Sequence, residues 1–127
     1  LLALILASEA NIAMAGWTLV DESFDGSALI YSDLDSIQKI EDNIRMWSLG
    51  DFRTAKDFGG IQFLSSKYLK EYDCNKEQTR MLDFTLFSAN MGEGEVVYSN
   101  SGSDNWEPIV PGSVAKALWE IACKKAP

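Results

Sequence analysis

Cys74 and Cys123 carry the most definite chemistry in this sequence of 127 residues. Far apart in the chain and outside any C-x-x-C arrangement, they read as one structural disulfide rather than a redox pair. The chain has no histidine, which removes the usual general base near neutral pH and the commonest metal ligand. Pairing the cysteines removes the thiol nucleophile as well. Asp21, Glu22 and Asp25, or Asp33 and Asp35, offer the oxygen donors that calcium takes. They lack the D-x-D-x-D-G loop with its distal glutamate and read instead as solvated strand ends. Gly92-Glu93-Gly94 is a turn with the wrong continuation and charge for a phosphate loop. A carboxylate pair for glycoside hydrolysis would meet only in the fold, and 19 acidic residues in so short a chain supply such pairs by chance. No catalytic residue, cofactor or metal ligand is assigned on these grounds.

The elements that must position the cysteines follow from periodicity. Residues 16–23 alternate as a first strand before the turn signal Asp25-Gly26, and Ala28 to Asp33 forms a second, ended by a turn over Asp33 to Ser36. A longer strand spans residues 38–49, and apolar side chains on both its sides (Ile44 and Met46, Trp47 and Leu49) place it centrally, covered on both faces. Gly50 to Gly60 reads as a loop. Ile61 to Cys74 alternates in two phases, Ile61 and Phe63 against Tyr68, Tyr72 and Cys74, which predicts a bulge near Leu64 to Ser66. The clearest alternation is residues 78–88, with Leu82, Phe84 and Leu86 opposed to Asp83 and Thr85. Met91 to Gly94 turns the chain into a last strand from Glu95 to Asn100.

The period then changes. Ser113 is an N-cap following Pro111-Gly112, and Val114, Ala117, Leu118, Ile121 and Ala122 fall on one helical stripe, with Trp119 and Cys123 beside it. So lopsided a helix must lie on the sheet, with Tyr68 and Tyr72 beneath or beside it. The expected fold is α+β: an antiparallel sheet of about six strands, one C-terminal helix packed on it, and one disulfide pinning the helix to the strand that ends at Cys74.

The uninterrupted apolar run Leu1 to Ala7, followed by Ser8, Glu9 and Asn11 and then small residues, has the form of the end of a secretory signal. Cleavage after Ala10 or Ala15 satisfies the small-x-small rule, and Ala15 is preferred. Residues 1–15 are thus a signal remnant and 16–127 one domain. The apolar run is shorter than the roughly 20 residues a spanning helix requires, so no membrane insertion is expected. A periplasmic or secreted location agrees with the cysteine pair. A formal charge of −8 and scattered basic residues argue against nucleic acid.

Of the four tryptophans, Trp17, Trp47 and Trp119 are expected in the core. Trp106, between a polar loop and Glu107-Pro108, is the one expected to be exposed. Trp106, with Phe52 and Phe58 of the Gly50 to Gly60 stretch, is the candidate partner surface.

The ordered elements Trp17, Tyr31-Ser32-Asp33, Trp47, Ser66-Lys67, Tyr72-Asp73-Cys74, Gly94 to Val97, Trp106-x-Pro108, Pro111-Gly112-Ser113 and Cys123 resemble the surface-adhesin protein E family of proteobacterial envelope proteins. The resemblance covers essentially the whole of residues 16–127. It implies an antiparallel sheet with a C-terminal helix linked by the disulfide, binding of host matrix and plasma proteins by some members, and dimers in some cases. The expected function is a non-catalytic exported envelope protein, an adhesin-like module for host or envelope proteins. A small periplasmic hydrolase using a carboxylate pair is the alternative.

Overall fold

The computed structural model describes residues 16–125, so the segment read as a signal remnant lies outside the described residues. Eight strands are present: β1 (Thr18–Glu22), β2 (Ala28–Ser32), β3 (Gln38–Ile40), β4 (Asn43–Phe58), β5 (Ile61–Asp73), β6 (Gln78–Phe87), β7 (Val96–Ser101) and β8 (Glu107–Pro108), followed by helix α1 (Val114–Lys125). The sheet is antiparallel throughout, in the order β1-β2-β4-β5-β6-β7, with β3 added to β4 and β8 to β6. The six strands of the main path match the six expected from alternation. Among the described residues the chain is mostly sheet with a single α-helix.

Two strand expectations are corrected. The strand read over 38–49 is broken at Glu41-Asp42, where a two-residue turn with Glu41 at φ 56° folds β3 back onto the start of β4. Gly50 to Gly60 is not a loop: β4 continues through it to Phe58, and only Gly59-Gly60 turns. Both glycines have positive φ (56° and 91°), as a two-residue hairpin turn matched to strand twist requires. The chain gives no alternation there because both sides are exposed from Arg53 onward, and pairing with β5 replaces the missing hydrophobic signal. The phase change in β5 has a related cause. Between the pairs Asp51 with Ser65 and Lys56 with Phe63, residues 52–55 of β4 face Leu64 alone, so the extra residues belong to β4 and not to β5.

One face of the sheet carries Ile44 and Met46 of β4 and Tyr72 of β5, which bury Leu118 and Ala122 of α1. Tyr72, Met46 and Ala122 are wholly buried, and apolar burial of this kind stabilises by roughly 1.5–3 kcal/mol for each large side chain. Tyr68 packs against the same cluster, as its shared parity with Tyr72 demands, and burial pushes its hydroxyl up to about 12. The opposite face is closed where Leu49 sits, also wholly buried. There the turn over Asn90–Gly92 lies against β4 and β5. Gly92 has φ 72°, a conformation that favours glycine, and lies against the flexible end of the Lys67 side chain. From Ile44 to Leu49, β4 is therefore covered on both faces, as its sequence implied.

The helix begins as expected. The Ser113 hydroxyl oxygen accepts from the Lys116 N–H at 3.2 Å and its O–H donates to the Val110 carbonyl at 2.6 Å, which ties the first turn to the preceding loop. Ser113→Ala should lower stability by about 1 kcal/mol, read as a lower urea midpoint at unchanged slope.

Cys74 and Cys123 are disulfide-bonded, with a Cα–Cα distance of 5.8 Å. One turn earlier in the helix, the Trp119 indole N–H donates to the Asp73 carbonyl at 3.0 Å. The end of β5 is thus held to α1 by a covalent bond and a hydrogen bond side by side.

Candidate partner surface

The unusual length of β4 and β5 builds the most prominent surface feature. β2 accompanies β4 only as far as Phe52, and β6 accompanies β5 only from Ser65 onward. Beyond those points residues 53–64 pair with no strand but each other, so the sheet ends in a two-stranded arm. Every residue from Arg53 to Gly60 is exposed.

Aromatic side chains dress this arm on two sides. The Phe58 ring lies 5.9 Å from that of Phe84 and 5.1 Å from that of Tyr98, and the latter two rings are 5.6 Å apart. Such tilted and edge-on pairs add to simple burial, yet Phe58 remains 44 % exposed. At the arm's base Phe52 meets Phe63 edge-on at 5.8 Å, with the Lys56 ammonium 5.5 Å above its ring. Phe52 also lines a hollow of about 290 Å³ together with Leu29, Asp51, Arg53 and Asn90. Asp51 and Asn90 lock that hollow's floor. The Asn90 side-chain amide donates to Asp51 Oδ1 at 3.0 Å and to the Phe52 carbonyl at 2.8 Å, and the Met91 N–H donates to Asp51 at 2.8 Å.

The structure brings Phe52 and Phe58 onto one arm but places Trp106 elsewhere, just before β8 at the other end of β6. Trp106 is half-buried and not the exposed tryptophan expected, because its ring stacks on the Arg80 guanidinium at 4.6 Å. Trp17, Trp47 and Trp119 are also half-buried, so none is fully enclosed. Trp119 packs on the core with the Lys116 ammonium 4.4 Å over its ring. Periodicity marked Phe84 as one face of a strand and did not link it to Tyr98 or Phe58. The β6–β7 pairing sets Phe84 beside Tyr98, and the long β4–β5 hairpin brings Phe58 to both.

Arg80 belongs to a charged cluster on the sheet face opposite the helix. Glu71, buried, accepts from Asn43 Nδ2 at 2.7 Å, Arg45 Nε at 3.0 Å and Arg80 Nη2 at 3.3 Å. Burial raises its carboxyl pKa, but those three hydrogen bonds and the Arg80 charge outweigh it, and the net displacement is downward. Asp25 is held at about 2 by the Ser27 hydroxyl and N–H, with help from Ser23. Both carboxyl groups are thereby kept ionised and engaged, and they share no partner. That is the reverse of the raised pKa a glycosidic general acid needs. Among the described residues no three His, Cys, Asp or Glu side chains are placed to hold a metal ion, and no helix is long and apolar enough to cross a membrane.

The profile of the family described as "Surface-adhesin protein E" matches residues 17–124. Among solved structures, crystal form II of Haemophilus influenzae protein E is 11 % identical, with a TM-score of 0.65 over 87 % of this chain and 88 % of that one. A second structure of H. influenzae protein E is 13 % identical, with the same TM-score, covering 87 % and 85 %. Protein E from non-typeable H. influenzae gives 0.57 at 11 % identity, over 85 % and 76 %. At such identities the likeness is one of fold. No curated protein matches the chain.

Proposed function

We propose a function from the premise that this chain belongs to the surface-adhesin protein E family: it is a non-catalytic, exported envelope protein, an adhesin-like module that grips a protein partner through its β4–β5 arm. The observation that carries this reading is the arm itself. It continues beyond the pairing of both neighbouring strands, lays Phe58 over Phe84 and Tyr98 while leaving it 44 % exposed, and ends at its base in a hollow rimmed by Phe52 and Arg53. Partner surfaces concentrate binding energy in a few aromatic and arginine anchors, and an unflanked hairpin offers such anchors without opening the sheet. The disulfide supports an oxidising compartment, periplasmic or extracellular. A host or envelope protein is the partner class the family name favours.

The test is binding of the immobilised chain to purified matrix and plasma proteins and to envelope extract. Saturable binding to a partner should weaken about tenfold or more in Phe58→Ser and in Arg53→Glu, while Arg53→Glu keeps the parent's thermal unfolding profile and Phe58→Ser still unfolds cooperatively, at a midpoint lowered by the loss of its contacts with Phe84 and Tyr98. Saturable binding that neither variant alters would overturn the role of the arm. No saturable partner in any of these sources would overturn the adhesin reading.

A further inference from the structure

The β4–β5 arm is joined to the rest of the sheet by a discontinuity. Between the pairs Asp51 with Ser65 and Lys56 with Phe63, residues 52–55 of β4 are set against Leu64 alone, so the cross-strand ladder lapses at the arm's root. Outward of that point no neighbouring strand pairs with residues 53–64, and an isolated two-stranded hairpin is only marginally stable. The arm's position over the sheet is therefore set by side-chain contact. Its outer half is laid down by the Phe58 ring, on Phe84 of β6 and Tyr98 of β7 at 5.9 and 5.1 Å.

That contact is only partly made. Phe58 keeps 44 % of its surface exposed, and Phe84 and Tyr98 are half-buried. Two ring pairs, each adding a modest amount to burial, oppose the release of one short hairpin, so a lifted state populated on the order of 1 % is expected. A small motion is enough to admit a guest. From Arg53 to Phe58 the strand spans about 17 Å, at about 3.4 Å per residue, and one more ring needs about 3.5 Å of room, so a rotation of about 12° at residues 52–55 supplies it. The three rings already meet at tilted and edge-on angles, in which the faces and edges of aromatic groups attract each other. A fourth ring between Phe58 and the other two keeps that attraction on both sides, whereas an aliphatic side chain gains burial alone.

We infer that the arm is a hinged strap, pivoting on residues 52–55, that closes over an aromatic side chain of a protein partner, with Phe58 on one side of that ring and Phe84 and Tyr98 on the other. The inference rests on the reading of the arm as the gripping element and adds how the grip forms and what it takes hold of.

Hydrogen exchange of the full chain tests the hinge. Amides of residues 56–63 should be at least about tenfold less protected than those of residues 44–49 and 67–72, and Tyr98→Ala should speed the first group about tenfold and leave the second unchanged. Phe58→Leu, on the exposed side of the contact, should act in the same direction. Equal protection in the two groups would overturn the strap. Titration with N-acetyl-L-phenylalaninamide, followed through the ring NMR signals of Phe58, Phe84 and Tyr98, tests the insertion. All three rings should shift saturably, and Phe58→Leu should weaken the binding about tenfold. N-acetyl-L-leucinamide binding as tightly would overturn the aromatic guest, N-acetyl-L-argininamide binding more tightly would overturn it in favour of a cation, and no saturable shift with any of the three would overturn the insertion. If a partner protein binds saturably and loses affinity in Arg53→Glu while the arm is as protected as the base, the grip stands and the strap falls.

Discussion

Replacing Cys74 and Cys123 together by serine should lower the stability of the fold by about 4 kcal/mol. The two cysteines are 49 positions apart, and closing a loop of that size constrains the unfolded chain by roughly this amount in the entropy model. The native side of the balance changes little, because the Trp119 indole still reaches Asp73 and Leu118 and Ala122 still cover Tyr72. For a domain of this length the expectation corresponds to a fall of about 15 °C in Tm. Urea unfolding of the parent with and without reductant, beside the double serine variant, gives the comparison. The reduced parent and the variant should coincide. A loss below about 1 kcal/mol would show that the helix is held by packing alone.

Glu71→Ala should cost about 3 kcal/mol. It removes one buried carboxylate and leaves Arg45 and Arg80 facing each other with the Asn43 amide unpaired. Breaking a buried pair typically costs 3–5 kcal/mol. The lower end applies because the Arg45 and Arg80 side chains are 35 % and 26 % exposed and water screens what remains. The same residue sets a pH dependence. Its folded-state pKa lies below the ordinary value of 4.5, so its contribution is fully present above that value and is lost as pH falls through the depressed one. Acid titration of stability should therefore be shallower below pH 4.5 in Glu71→Gln than in the parent. Identical slopes would exclude Glu71 as an acid-sensitive link.

The elements legible in the sequence are those whose pattern and environment agree. α1 shows its stripe because one side meets the sheet, and Ser113 announces its start. β6 alternates cleanly, and the cysteines sit where strand end and helix flank meet. The arm was illegible for the opposite reason. Gly50, Asp51, Asp57, Gly59 and Gly60 resemble loop composition, yet Gly50 is a strand residue over which Phe52 and Ser66 close, each 3.1 Å from where a Cβ would lie. The setting of Phe52 and Phe58 could not be read from that stretch, since it depends on Phe63, Phe84 and Tyr98 from other strands. Trp106 was misjudged because its neighbours in sequence are polar while its neighbour in space is the flat face of a guanidinium.

The arm also has a mechanical meaning. β4 and β5 lead from the Gly59-Gly60 tip to Asn43 and Asp73, beside the disulfide at Cys74, with slack only where residues 52–55 face Leu64 alone. A pull on the tip would first lift Phe58 off Phe84 and Tyr98 and draw out that slack, and only then load the ladders to β2 and β6. At the far end the load would reach the covalent bond, so the compliant part of the hairpin lies at its tip and the stiff part at its base.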